Sequence, residues 1–221
     1  MCGRFAYFGN GFFGYESLHY PTVPPFENYN IAPSQNIPAL LHHPESQSLK
    51  WSLIRWGLIP FWSKSKQAKF NLINARAEGI ESKPSFRGPF KYRRCIIPAS
   101  GFYEWRQMEK GKQPYFISPA NGGYFAFAGI WDHWEGDGEE VVESCSIITT
   151  DANSIMATIH DRMPVILEEK DCLLWLDAGA KKEQLLKILR PCPENLIEAY
   201  PVTTRVNIPR NNDPECIKRS G

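Results

Sequence analysis

Short runs of β-branched and aromatic residues, each soon cut off by Pro, Gly, Asn or Asp, recur along this chain and leave little room for long helices. The pattern predicts strands over 37–42 (IPALLH), 49–56 (LKWSLIRW), 94–97 (RCII), 101–106 (GFYEWR), 114–118 (PYFIS), 124–131 (YFAFAGIW), 144–150 (SCSIITT) and 163–167 (MPVIL). Helical periodicity is confined to 12–20, 75–82, 152–158 behind Asp151, and 168–189. In the last of these Leu173, Leu174, Leu176, Leu185, Leu186, Ile188 and Leu189 recur at helical intervals, with a break near Gly179. No repeat, low-complexity tract or linker interrupts the pattern, and 132–143 (DHWEGDGEEVVE) reads as a hairpin or acidic loop within the domain. The 18 Pro and 16 Gly among 221 residues mean turns rather than disorder, because the 43% hydrophobic content is enough for a core. The expectation is one β-rich α+β domain over 1–221, a curled, barrel-like sheet flanked by a few helices.

Several classes of function drop out. No apolar run approaches the roughly 20 residues a bilayer needs, and Met1-Cys2-Gly3-Arg4 lacks the apolar stretch of a secretory signal. A cytoplasmic monomer with no membrane partner is expected. Cys2, Cys95, Cys145, Cys172, Cys192 and Cys216 contain no C-x-x-C pair, so they are expected as buried thiols rather than a zinc or redox motif. With no ligand-spaced Cys and His cluster and no glycine-rich phosphate loop, neither a metal nor a nucleotide cofactor is expected. The net charge of +1 hides an asymmetry. Residues 50–112 hold 14 Lys or Arg against Glu78, Glu81, Glu104 and Glu109, whereas 113–221 hold 10 basic and 17 acidic residues. A basic stretch interleaved with Trp, Phe and Tyr suits a polyanion whose bases can stack; equally, such charges can simply solvate loops and strand edges.

Four features could carry chemistry. A small residue at position 2 lets methionine aminopeptidase remove Met1, after which Cys2 would carry a free α-amine and a thiol together. These titrate near about 8 and about 8.5, so both have a reactive fraction at neutral pH. Such a 1,2-aminothiol condenses with an aldehyde to an imine, and the thiol then closes a thiazolidine intramolecularly. The plain alternative is an ordinary cysteine in a tail. Asn74 and Arg76 follow a short apolar run and look like the start of a helix, where Asn is usually a cap and Arg usually solvated; an amide and a guanidinium could also hold a sugar phosphate. Strand alternation puts Phe102, Glu104 and Arg106 on one face and Tyr103 with Trp105 on the other. A carboxyl among aromatics there is partly desolvated and suited to proton transfer, although an ion pair with a nearby arginine is the simpler reading. His160, beside Asp161 and Arg162 at a helix–strand junction, is a candidate acid–base group; alternatively the Asp–Arg pair pins the loop and His160 is incidental. His42 and His43 look like strand-end surface residues, and His19 and His133 have no evident partner.

Taken in order, Met1-Cys2-Gly3-Arg4, Tyr29-Asn30-Ile31-Ala32-Pro33, Trp56-Gly57-Leu58-Ile59-Pro60-Phe61-Trp62, Asn74-Ala75-Arg76, Gly101-Phe102-Tyr103-Glu104-Trp105 and His160-Asp161-Arg162-Met163-Pro164 resemble the SRAP (SOS response-associated peptidase) family over almost the whole chain. The resemblance implies a DNA-damage protein with a lyase-like activity that crosslinks itself to abasic sites in single-stranded DNA. It implies Cys2 as the nucleophile, Glu104 as acid–base group for ring opening and imine formation, and His160 as a second proton-transfer group. It implies Asn74 as the group positioning Cys2 and the opened sugar. Arg4, Arg76 and Arg162 would contact phosphates, and Phe61 with Trp62 would stack on or wedge against a base, where some relatives carry two tryptophans. In a bacterium the location would be the cytoplasm and nucleoid. The alternatives are a cysteine-type autopeptidase that removes its own Met1 or leader, a hydrolase using the same four residues, and a noncovalent single-strand DNA binder or protein adaptor.

Overall fold

The computed structural model describes residues 2–9, 25–43, 48–66, 72–136 and 140–220; the helix expected over 12–20, together with Met1 and His19, lies outside them, as does the side chain of His43. The strands are β1 (Phe5–Tyr7), β2 (Asn28–Ile31), β3 (Asn36–His43), β4 (Ser48–Trp56), β5 (Asn74–Arg76), β6 (Arg94–Ala99), β7 (Gly101–Gln107), β8 (Lys112–Pro119), β9 (Phe125–Glu135), β10 (Val141–Asp151), β11 (Arg162–Pro164), β12 (Ile166–Leu167) and β13 (Ile197–Pro201). The helices are short: α1 (Arg87–Tyr92), α2 (Ser154–Ala157), α3 (Glu169–Leu176) and α4 (Lys182–Ile188).

β3, β4, β10, β9 and β6 pair in a ring and return to β3, so this sheet closes on itself as a five-stranded barrel. Every pairing in the ring is antiparallel except β4 with β10, and closure leaves these strands without open edges along their paired lengths. β12 extends β9, while β5 and β11 add to β10. The interior is tight at Gly129, where a Cβ would stand 2.7 Å from Cys95 Sγ. A second sheet, in the order β13-β8-β7-β1-β2, packs on the barrel. Phe5 meets Trp56 edge-on at 5.1 Å between ring centroids, and Phe102 meets Phe127 at 6.0 Å. The other face of that sheet is covered by Ala6, Tyr103, Phe116, Val202 and Val206. Alternation along β7 thus sends Phe102 to the main core and Tyr103 to the smaller one, as the sequence pattern requires.

The α+β, barrel-like architecture expected from the sequence is what the chain adopts. The 168–189 pattern resolves into α3 and α4 with the break between 177 and 181, and 132–143 is a hairpin in which Val141 pairs with Glu135. All six cysteines are free and buried. The helix expected over 75–82 is a correction: Asn74–Arg76 is strand β5, followed by turns, because parallel pairing with Ile147, Ile148 and Thr149 captures the backbone. α2 is capped by Asn153, whose side chain accepts from Met156 N at 3.0 Å, so Asp151 lies in β10 instead of at the helix start. No helix among the described residues is long and apolar enough to cross a membrane.

Candidate active site

Cys2, Gly3 and Arg4, the three residues before β1, run past the end of β5 and alongside β7, and this juxtaposition brings Cys2, Asn74 and Glu104 together. Cys2 is fully buried. Asn74 Nδ2 donates to the Cys2 carbonyl oxygen at 2.8 Å, while its Oδ1 is buried with no hydrogen-bond partner among the described residues. A buried unpaired acceptor costs about 1–3 kcal/mol, which is unusual enough to mark a place where function outweighs stability. Ala75 turns into the core, and strand alternation returns Arg76, exposed, to the side of Asn74.

Glu104 is almost wholly buried, and burial pushes its carboxyl up to about 7, so near neutral pH it exchanges a proton readily. The same burial, with the Glu104 charge adding to it, holds the Cys2 thiol far above its usual range. His160 lines the same cavity as Glu104. Burial lowers its pKa below the ordinary value, and its Nδ1 stands 3.0 Å from the Arg162 backbone N–H. Asp161 Oδ1 lies 2.8 Å from the same Nδ1, close enough to accept a hydrogen bond whenever that nitrogen carries the proton.

The arginines differ in what they have left to offer. Arg4, half-buried, donates from Nη1 to Asn30 Oδ1 at 2.8 Å and to Val206 O at 2.9 Å, and its Nε has no partner among the described residues. Arg162 is heavily engaged: Nη1 donates to Glu78 Oε1 (3.0 Å) and Asp151 Oδ1 (2.7 Å), and Nη2 to Glu78 Oε2 and Thr149 O (both 2.8 Å). It therefore braces β10 and the turn after β5, and its guanidinium reaches a phosphate only by exchanging one of these partners. Phe61 and Trp62 stand in a turn with 63% and 55% of their surface exposed. The turn is clamped from the barrel at three points: Ser144 Oγ accepts from Ile59 N–H at 2.8 Å, buried Asp132 accepts from Phe61 N–H at 3.0 Å, and Trp134 Nε1 donates to Ser63 O at 2.8 Å.

Sequence reasoning missed Asn30 and Asp132. Asn30 Nδ2 donates to Val206, Ile208 and Asn211 carbonyls at 3.2, 3.0 and 2.8 Å, tying residues 206–211 to β2 and orienting Arg4. Only its place in the Tyr29–Pro33 motif hinted at this. Asp132 carried no sequence signal beyond membership of an acidic run. His133, without an evident partner in the sequence, has Nε2 3.1 Å from Glu135 Oε1. Among the described residues no group of three or more His, Cys, Asp or Glu is placed to hold a metal.

A family model described as SOS response associated peptidase (SRAP) matches residues 1–209. The chain is 40% identical over 224 residues to the abasic site processing protein YoqW of Bacillus subtilis, with 99% of each chain covered. It is 38% identical to the chicken abasic site processing protein HMCES, covering 86% of this chain and 65% of the relative. A solved structure from Bacteroides thetaiotaomicron superposes with a TM-score of 0.86 at 30% identity, covering 99% of this chain and all of the other.

Proposed function

The chain belongs to the SOS response associated peptidase (SRAP) family, and from that premise we propose that it processes abasic sites in single-stranded DNA by capturing them covalently through Cys2. The observation that carries this reading is the Cys2–Asn74–Glu104 cluster, in which a buried carboxyl poised near neutrality lies beside the one residue able to become an aminothiol.

Removal of Met1 frees the Cys2 α-amine, for which the unpartnered Oδ1 of Asn74 is a ready acceptor. An abasic deoxyribose opens to its C1′ aldehyde; Glu104 and His160 move the proton between the ring oxygen and O1′. The amine lone pair then forms the C1′–N bond, giving a carbinolamine. Protonated Glu104 delivers a proton to the departing hydroxyl, which leaves as water, and an iminium remains. The sulfur forms the C1′–S bond while the iminium π pair returns to nitrogen, and the thiol proton passes to the Glu104 carboxylate. Aldehyde and aminothiol thus give a thiazolidine and one water. Closure within a single residue compensates for a thiol that burial makes a poor thiolate source. Arg4 and Arg76 flank the sugar for phosphate contacts, Arg162 joins them by trading a carboxylate for phosphate, and Phe61 with Trp62 supply a stacking face. The basic stretch over 50–112 suits that polyanion.

Intact mass spectrometry tests the reading. Protein lacking Met1, incubated with an abasic single-stranded oligonucleotide, should gain the oligonucleotide mass less one water and keep it through denaturation. Binding without a mass-shifted species would reduce the protein to a noncovalent binder. The family description also suggests self-cleavage. If Cys2→Ser retains Met1 under conditions in which wild type loses its own in the absence of an aminopeptidase, peptidase activity is intrinsic.

A further inference from the structure

A second cavity, of about 370 Å³, opens between α1 and α4 and shares no lining residue with the one at Glu104. Its floor is apolar: Phe90 and Leu185 are buried there, and Ala180 is half-buried. Its rim is cationic, with Arg87, Lys91 and Lys182 all exposed. None of the three makes an ion pair among the described residues, whereas Arg190, Arg205 and Arg219 each hold a carboxylate. Arg87 and Lys91 stand four apart on α1, neighbours on one helical face, where like charges repel and lower stability. Buried Arg94 also lines the cavity and likewise makes no ion pair among the described residues. Its guanidinium donates to the carbonyls of Phe90 (3.0 Å), Lys91 (2.7 Å), Trp175 (2.7 Å) and Asp177 (2.6 Å). Those bonds tie the end of α1 to the end of α3, so the cavity's walls are fixed before anything enters it.

Four positive charges around an apolar floor, set against the single carboxylate of Glu81, define the complement: an acidic chain with one bulky apolar group to fill the interior. A nucleic-acid strand has the charge but needs an open aromatic face for its bases. The one exposed ring lining this cavity, Tyr92, already has Lys91 Nζ 4.8 Å from its centroid. We propose that the cavity docks an acidic peptide segment of a partner protein. One bulky apolar side chain enters onto Phe90, Ala180 and Leu185, and flanking carboxylates pair with Arg87, Lys91 and Lys182. This docking does not depend on the chemistry at Cys2, and it leaves the cavity at Glu104 free for its own substrate.

The test uses the full chain and three fluorescein-labelled nonapeptides: Asp and Glu around a central Phe, the same peptide with Ser for Phe, and the same peptide with Asn and Gln for the acids. Fluorescence anisotropy should show saturable binding of the first that weakens as salt rises, and roughly tenfold weaker binding of the other two. Arg87→Gln combined with Lys91→Gln should weaken the first peptide roughly tenfold or more, and Lys182→Gln severalfold. All three side chains are exposed, so these variants keep the fold. No saturable binding of the first peptide, equal affinity for all three, or wild-type affinity in the double variant overturns the docking. So does a single-stranded oligonucleotide with intact bases that loses more affinity than the acidic peptide in the double variant, since the cavity is then a nucleic-acid contact.

Discussion

Asn30, buried, and Asn74, half-buried, are two asparagines on short strands, and they do opposite things with their amides. Asn30 spends every polar atom of its side chain: Oδ1 on Arg4 and Nδ2 on the carbonyls of Val206, Ile208 and Asn211. Asn74 spends its donor on Cys2 and keeps a buried acceptor unused. The region around Asn30 is built for stability, with each group satisfied as buried polar groups usually are. The region around Asn74, with Glu104 pushed up to about 7 and a shielded thiol, carries a cost in stability that the Asn30 region does not.

The largest expected effect breaks the reactive region alone. Cys2→Ala should eliminate the denaturation-resistant adduct while moving Tm by only a few degrees, because among the described residues the thiol's one hydrogen-bond contact is at 4.0 Å, to the Arg4 carbonyl. An adduct that survives this change would shift the nucleophile elsewhere. Glu104→Gln should slow capture about a hundredfold. It should also stabilise the fold at alkaline pH. Folded Glu104 holds its proton up to about 7 against 4.5 for the free group, so wild type loses stability as pH rises through that window, by up to about 3 kcal/mol. Thermal melts at pH 5 and pH 8 check the sign: the variant's advantage must grow with pH. Its rate deficit must shrink over the same interval, as wild type loses its acid.

The two asparagines sharpen the contrast directly. Asn30→Ala should lower stability by about 3 kcal/mol, roughly 10 °C in Tm, by orphaning three carbonyls and Arg4. Asn74→Ala should change stability by no more than about 1 kcal/mol yet slow capture tenfold or more. Equal Tm losses in the two variants would erase the distinction. The smallest effect is expected at the exposed turn: Asp132→Ala should weaken oligonucleotide affinity a few-fold by loosening Phe61 and Trp62, with the capture rate at saturation unchanged. Titration by anisotropy beside single-turnover capture separates the two quantities.

Much of this was legible in the chain because strands announce themselves locally. Runs such as 124–131 and 144–150 carry the alternating aromatic and β-branched pattern that the barrel requires, and the Leu pattern of 168–189 marks both helices and their break. Asn74–Arg76 was misread because three residues cannot show a period, and what makes them a strand is parallel pairing with Ile147–Thr149, more than seventy positions away in sequence. β1, β2 and β13 went unread for the same reason. Cys2, Asn74, Glu104 and His160 stood out by residue type and motif. Asn30 and Asp132 did not, since their importance lies in backbone groups they hold, and a backbone group leaves no letter in the sequence.

The bond from Arg4 to the carbonyl of Val206 spans 202 positions. On a ribosome, the first residues emerge long before residues 206–211 exist to receive them, and the strands that bury Cys2 are also still to come. The terminus therefore stays open for most of synthesis and is enclosed only once translation reaches the far wall of its own pocket. Order of manufacture sets the moment of closure.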